Sequence, residues 1–477
     1  MPLPDTDLGW VEFLSRRHDM ELPALKELND LYEGTAPLHY LHPEIQREVD
    51  ERIRAVSLGW PMLAVDPLEE RLDVVGFRYP EDDDDPEASP EELASYAGDR
   101  NLQRVWADNN LAEESQMGHI DALVMRRAYV CVGTNEDDPD TPLTTVESPL
   151  EMYAYIDPRT RRELAALRRW SEDEDSLVRE TQQYATLYLP ERTVWYQRVG
   201  QGWQETDRDE HGLGEVPVVS LVNRGRLADR YGKSELTPAL LSLSHAANKI
   251  ATDMMVAAEF HAIPLRAIFG IGPEDLQDEQ GNRLSALQVI MGRLLTLPTD
   301  DGNKIRPHEF SASSLANFHA TLEALARRIV PLIGLPPDMV GLTSENPASA
   351  EARRAAEARL IKRAERKQVP FGAGWRRWAR LVRRLQEGDW DPQARRIEVI
   401  WRDPATPTRS QAADAALKLL AEGAITKRQA REDMGYTPGQ IRRMEAEDRA
   451  EAERDPVRQI VDRMGGGRAE PVTANAG

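Results

Sequence analysis

A single cysteine, Cys131, among 477 residues excludes an intrachain disulfide and a cysteine-rich zinc site. This sparing use of thiols fits assembly in a reducing compartment. No apolar run approaches the roughly 20 residues of a membrane helix. The N-terminal MPLPDTDLGW has no basic stretch leading into an apolar one, so no secretory signal is expected. The chain has no H-E-x-x-H, no G-x-S-x-G and no acid pair with a supporting shell. Positive charge is in deficit, leaving a net charge of −22. A protein that grips DNA is usually basic, because Lys and Arg displace counterions from phosphates. Such acidity argues against a conventional nucleic-acid binder, but it suits a passage whose walls repel phosphate and let DNA slide. Solubility alone also explains it. Lysine is scarce beside arginine, and with abundant Ala and Pro this points to a GC-rich coding genome.

What is present is ordinary soluble-protein composition, 40% hydrophobic and 30% charged, in a chain long enough for two to four domains. Its most informative feature is a pair of heptad-patterned helices. The first carries Leu236, Leu240, Leu243, Ala247, Ile250, Met254 and Ala257; the second carries Leu315, Phe318, Leu322, Leu325, Ile329 and Leu332. Alternating steps of four and three give each helix one narrow apolar seam, suited to packing beside copies of itself or of the other. An ordinary helical hairpin within a bundle has the same signature.

Residues 1 to about 125 read mainly as helices, with Asp66-Pro67 as a cap-and-first-turn pair opening LEERLDV. The acidic run from Glu81 to Glu92 reads as a solvated loop, without calcium-loop spacing. Between Arg127 and Val222 the texture turns to short β-prone runs: AYVCVG, TTVESP, MYAYID, YATLYLP, TVWYQRV and VPVVSLV. These predict an antiparallel sheet region with at least one intervening helix or ribbon. Thr237-Pro238 opens the first heptad helix, which Pro264 ends. Residues 263–312 read as one or two strands with loops, and the second heptad helix runs from about Ser313 to Ile333. Pro336, Pro337 and Gly341 forbid a continuous helix, and Asn346-Pro347 offers a new start. The following helix, to about Val382, holds twelve Arg or Lys against three Glu between Glu351 and Arg384. Pro370, Gly372 and Gly374 should kink or break it. That basic surface is either a nucleic-acid face or one neutralised by acidic neighbours. RRIEVIWRD reads as a strand, and Thr408, Thr426 and Thr437-Pro438 as caps of three short C-terminal helices, before the flexible tail GGGRAEPVTANAG.

Other motifs reduce to structure. Gly232-Lys233-Ser234 resembles the end of a phosphate-binding loop, but that loop's first glycine would fall at Leu227. Gly212/Gly214 and Gly270/Gly272 lack a third glycine and read as turns. His39 and His42 have no partners at metal-ligand spacing.

The segments LNDLYEGTAPLHYLHPEI, AVDPLEERLDVVGFR, WADNNLAEESQMGHIDALVMRRAYVCVG, MYAYIDPRTRRELAALRRW, ATLYLPERTVWY, GLGEVPVVSLVNRGRLADRYGKSEL, MMVAAEFHAIPLRAIFG, PASAEARRAAEARLIKRAERKQ and GAITKRQAREDMGYTPGQI carry a resemblance in order along nearly the whole chain. Together they resemble bacteriophage portal proteins of the family typified by the portal of the Bacillus phage SPP1, in the form common in actinobacterial phages and prophages. The resemblance implies an α+β, mainly helical portal fold assembled as a cyclic ring, typically of twelve subunits, at one capsid vertex. Residues 1–236 correspond to the wing, 237–262 to a stem helix, 263–312 to the clip and 313–335 to the second stem helix. Residues 336–348 correspond to the tunnel loop, 349–404 to a long kinked wing helix and strand, 405–455 to the crown and 456–477 to a flexible tail.

On the same resemblance, DNA would pass Thr343, Ser344, Glu345 and Asn346 in the tunnel loop and Lys249 and Asp253 on the stem. Asn303, Lys304 and Arg306 in the clip would meet partners. Those partners are the terminase large subunit, the head-tail adaptor, major capsid and scaffolding proteins, and double-stranded DNA. No membrane, cofactor or metal is implied, nor any catalytic residue, because terminase supplies the packaging energy. The expected location is the virion, with assembly in the host cytoplasm. Two alternatives stay open on the residues alone: an enzyme acting on phosphorylated substrates through the basic helix, and a nucleic-acid-binding scaffold. Both imply no large ring.

Overall fold

The computed structural model describes residues 3–37, 56–79, 98–171, 183–262, 266–269, 294–297, 306–309, 315–342, 350–405 and 409–454. They fall into two compact units, one of Met1–Leu22, Leu68–Lys233 and Ile361–Gly477, the other of Pro23–Pro67 and Ser234–Leu360. The architecture mixes helices with small sheets, as expected.

The first unit is built on two antiparallel sheets. Strands β2 (Arg127–Gly133), β3 (Leu143–Glu147) and β9 (Val218–Val222) form one, in the order β3-β2-β9. Strands β4 (Met152–Ile156), β5 (Glu163–Trp170), β6 (Tyr184–Tyr188), β7 (Thr193–Val199) and β8 (Gly202–Asp209) form a five-stranded meander. All six β-prone runs are strands, and two further strands, β5 and β8, lie between them where a helix or ribbon was expected. One face of the meander buries Tyr153, Leu167, Leu187 and Val194 against Val11, Phe13 and Leu14 of helix α1 (Asp7–Glu33). Tyr129, Cys131, Met152, Ala166 and Val218 form a second core between the sheets.

Helix α4 (Leu111–Met125) packs on the three-stranded sheet, and helix α3 (Arg100–Asp108) packs on α4. Asp99 caps α3, accepting from the amides of Asn101 at 2.9 Å and Leu102 at 3.0 Å. The Arg100–Met125 region is helical as expected, but Val74–Arg78 forms β1, pairing with β13 (Glu398–Trp401) more than 300 residues away. Asp66-Pro67 does not open a helix. It lies inside α2 (Trp60–Glu69), where Asp66 accepts a 2.8 Å hydrogen bond from the Tyr32 hydroxyl. Pro61 sits in the first turn of α2, where its missing N–H costs nothing.

The basic helix, α7 (Ala350–Glu387), runs through Pro370, Gly372 and Gly374 without a break. Here the glycines act as spacers. A Cβ on Gly374 would lie 2.5 Å from the Leu221 side chain of β9, and one on Gly372 would lie 3.3 Å from the indole nitrogen of Trp401. The close approach of strand and indole fixes these positions as glycine. Beside them Phe371, Trp375 and Trp378 are fully buried, the last two stacking edge-on with Trp106. Helices α8 (Arg409–Ala421), α9 (Lys427–Asp433) and α10 (Pro438–Arg454) form the C-terminal module. Thr426 and Thr437 cap α9 and α10 by accepting from Gln429 N at 3.2 Å and Gln440 N at 3.4 Å. Thr408 lies outside the described residues. Arg442 ties the module to α3 through Gly98 O and Gln103 Oε1, both at 3.0 Å.

The second unit holds the heptad pair, α5 (Pro238–Ala262) and α6 (Ala316–Ile333), which contact each other. Thr237-Pro238 opens α5 as expected, Thr237 Oγ1 accepting from Leu240 N at 3.4 Å. Between them in sequence the described residues form three short strands, more than the one or two expected. β10 (Arg266–Phe269) runs parallel to β11 (Leu294–Leu297) and antiparallel to β12 (Arg306–Glu309). A single 3-10 turn, Pro337–Val340, follows α6, in keeping with the helix-breaking prolines.

Candidate functional site

The heptad pair is the candidate site because its apolar seam is only partly used within one chain. On α5 the buried line is Leu240, Ser244, Ala247 and Ala251. Leu236, Leu240 and Ala247 are buried as the expected seam requires, but Ser244 and Ala251 turn inward in place of their neighbours Leu243 and Ile250. Leu243, Ile250, Met254 and Ala257, expected on it, are half-buried, and Met255 is exposed. Small residues on the buried line permit close packing and push the larger ones to its edges. On α6, Ala326, Ile329 and Ile333 are buried, while Leu315, Phe318, Leu322 and Leu325 are half-buried. Leu332, expected in the seam, is exposed, because a step of four from Ile329 brings Ile333 inward instead. Gly334 ends α6 at φ +69°, its amide donating to Val330 O at 2.8 Å.

Polar groups anchor the adjacent face of α5. Asn248 Oδ1 accepts from Leu58 N at 3.0 Å, and Thr252 Oγ1 accepts from Val56 N at 3.1 Å. These two bonds hold the segment entering α2 onto the helix. Lys249 and Asp253, one turn apart, form an ion pair with each other, and each remains about one-third exposed. Glu323 and Arg327 make the equivalent pair on α6 at 2.6 Å, more exposed still. Such pairs contribute well under about 1 kcal/mol to stability. They leave a helix surface that is polar yet nearly neutral.

Thr343, Ser344, Glu345 and Asn346 lie outside the described residues, as do Asn303 and Lys304, and His39, His42 and the 81–92 acidic run. Arg306 begins β12, opposite Phe269 of β10.

The basic helix resolves one question left open by the sequence. Along its second half two cations are met by acids of the same chain, and others by a carbonyl and an aromatic ring. Arg377 pairs with Glu163 and Arg383 with Asp99, all four side chains largely buried. The Arg376 guanidinium donates to Ile397 O at 2.6 Å, and Arg380 lies over the Trp390 ring at 5.1 Å. Burial comes first among the influences on Arg383 and lowers its pKa, yet Asp99, with Tyr79 and Glu387, turns the net effect upward. This half of α7 is a structural strut.

Several buried polar groups left no signal in the sequence. Arg127 is 1% exposed and lies 5.8, 5.5 and 5.1 Å from the ring centres of Tyr129, Tyr153 and Tyr231, with Glu21 as its carboxylate partner. His119 is stacked on Phe371 at 4.9 Å and accepts from Trp375 Nε1 at 3.0 Å. Burial lowers its pKa to about 3. His18 is lowered to about 3 as well, first by burial and then by the Arg169 guanidinium. Among the described residues no three His, Cys, Asp or Glu side chains cluster as metal ligands, and no helix is long and apolar enough to cross a membrane.

Comparison with known proteins matches these features to relatives. The family model for phage portal proteins of the SPP1 Gp6-like kind matches residues 11–454. The portal protein of Mycobacterium phage D29 is 40% identical over 405 residues, covering 83% of this chain and 79% of its own. That of Mycobacterium phage L5 is 38% identical over 417 residues, covering 86% and 81%. Among solved structures, a chain in the neck of an empty GTA particle (C6 symmetry) aligns at TM-score 0.39 and 17% identity, over 82% of this chain and 93% of that one. A chain in the neck of the native particle (C12 symmetry) aligns at 0.38 and 17%, over 85% and 97%.

Proposed function

We infer the role of this chain from its family, for it belongs to the SPP1 Gp6-like phage portal proteins. It is a structural protein of the phage particle, and in the proposed reading twelve copies close into a ring at one capsid vertex. DNA enters through that ring during packaging and leaves through it at ejection. The observation that carries the reading is the family match over residues 11–454.

The geometry of the heptad pair supports it. A helix burying a line of small residues within its own chain, while Leu243, Ile250 and Met254 stay half-exposed, has apolar surface left for a neighbouring copy. Heterologous contacts of this kind generate a closed ring when the rotation closes. In this reading α5 and α6 form the stem, with Lys249 and Asp253 facing the channel. Their mutual pairing gives DNA neither a fixed cation to bind nor a lone anion to repel it, and the overall charge of −22 keeps friction low. Residues 263–312, with Asn303, Lys304 and Arg306, form the clip that docks the terminase large subunit and then the head-tail adaptor. Thr343, Ser344, Glu345 and Asn346 project toward DNA from the tunnel loop, and residues 405–455 form the crown. Capsid and scaffolding proteins contact the outer wing, and assembly takes place in the host cytoplasm.

Shortening the 341–347 loop tests the channel assignment. The expected result is intact rings with impaired DNA packaging; normal packaging by the shortened protein would overturn it.

A further inference from the structure

The loop between β9 and α5 holds a leucine out into solvent on a closed, rigid frame. Its neck is pinched at Asn223 and Lys233: Lys233 N donates to Asn223 O at 2.9 Å, and Asn223 Nδ2 donates back to Lys233 O at 2.7 Å. Asn223 is fully buried, and its Oδ1 accepts from Lys367 of α7. Gly232 completes the neck at φ +83°, where a Cβ would lie 2.5 Å from Asn223 O and 2.6 Å from Arg126 O. At the tip, Arg226 N donates to Asp229 O at 2.7 Å and Asp229 N to Arg226 O at 3.0 Å. Asp229 Oδ1 also accepts from Tyr231 N at 3.2 Å. Between these bonds Leu227 is 87% exposed, flanked by exposed Arg224 and Arg226. A single exposed leucine on a mobile loop needs no explanation. This one is held by a frame that has already lost its conformational entropy, so docking costs little further ordering.

A receptor of matching chemistry lies elsewhere on the same unit. A cleft of about 250 Å³ opens where the two sheets diverge, lined by Leu143, Trp170, Tyr188, Trp195 and Leu385, with Asp209 among its polar groups. An apolar cavity of roughly 150 Å³ already holds a benzene molecule, so this cleft has room for a leucine side chain. The loop adjoins the Arg127 end of β2, through the Arg127–Val222 pair, whereas the cleft takes in Cys131 to Thr134 at the other end. Six residue steps of extended strand separate the two ends by about 20 Å. A copy therefore carries the knob and the cleft at different places, as a heterologous contact requires.

We propose that Leu227 of one copy seats in this cleft of the next copy, with Arg226 beside Asp209, as one of the contacts that close the ring. The proposal rests on the ring reading above and names the residues that join neighbouring copies in it. Charge is complementary locally: Arg224 and Arg226 flank the knob, and Asp209 lines the cleft, whose Arg168 is already paired with Glu147 and Glu151. The apolar tip favours protein over DNA, since phosphate contact needs no leucine.

The test is a crosslink within assembled protein. In a Cys131→Ala background, Leu227→Cys and Leu143→Cys are made singly and together, and the proteins are imaged and oxidised. The two new thiols of one chain are too far apart to bridge, because disulfides need Cα atoms within about 7 Å. The expected result is rings in all three proteins, and a reducible covalent ladder from the double variant only. Rings without a ladder overturn the knob-and-cleft contact and leave the ring standing; neither rings nor ladder overturns both. Leu227→Asp gives a second readout, since a surface leucine can change without unfolding the chain. It should lower the ring population more than tenfold. Rings at wild-type yield in Leu227→Asp would overturn the proposal, and loss of DNA retention by those rings would assign the loop to DNA instead.

Discussion

Lowering the pH should weaken the α7 strut through His119, by an amount the structure allows to be worked out. The ring is fully buried between Phe371 and the tryptophans, and its pKa is lowered to about 3 by burial alone. In the unfolded chain it titrates near 6.5. Between those values the unfolded chain binds a proton that the native one refuses. Stability is therefore complete above about pH 6.5 and falls as the pH drops toward 3. From pH 7 to pH 5 the loss is about 2 kcal/mol for this one group. His119→Gln keeps an acceptor for the Trp375 N–H but cannot titrate. Its stability at pH 7 will be lower, since the stacking on Phe371 is lost, yet its fall between pH 7 and 5 should be smaller than that of wild type by about 2 kcal/mol. Urea unfolding followed by tryptophan fluorescence reads this directly, because Trp375 and Trp401 lie close to the ring and Trp106 packs on Trp375. Equal pH slopes in the two proteins would refute the assignment of His119 as a buried neutral base.

Gly232→Ala should destabilise the first unit by more than about 2 kcal/mol in the same assay, because a left-handed φ and two backbone oxygens leave its methyl nowhere to go. Arg127→Met removes a buried cation from Glu21 and from three tyrosine rings and should cost about 3–5 kcal/mol; a loss below 1 kcal/mol would show that the cage is not a structural hub. Replacing Lys249 and Asp253 together by Met and Asn should change stability by less than about 1 kcal/mol, since both are partly exposed. If they face the channel, the same double variant should alter packaging rate or DNA retention, measured in particles.

Elements with local signals were legible in the sequence. Thr237-Pro238 marks the start of α5 because cap and first-turn chemistry is local. The runs around Val130, Tyr153, Leu187 and Val219 are strands because β-branched and aromatic residues fit a pleated sheet. β5 was less visible: Glu-Leu-Ala-Ala-Leu-Arg-Arg-Trp has helical propensity, and pairing on both edges within the meander overrides it. β8 is polar and exposed on almost every residue, so it shows no alternation, and β7 is its one strand partner in the meander. β1 and β13 are short, and each becomes a strand only through the other. Pro370, Gly372 and Gly374 read as breakers because propensity is local, whereas their reason lies in Leu221 and Trp401. The candidate site follows the same division. A 3.5-residue period announced a seam, but a period of that length does not say which of two adjacent lines, Leu243 or Ser244, turns inward. Buried Arg127, His18 and His119 have no sequence signature, since what fixes them is the surroundings supplied by distant segments.

The central claim, a closed ring of copies, is tested most directly by imaging the purified protein by electron microscopy and measuring its mass in solution. The account predicts rings with an open centre and a mass of about 650 kDa, for twelve copies of a 53.8 kDa chain. A compact dimer with no open centre, at all concentrations and in the presence of capsid and scaffolding proteins, would contradict it.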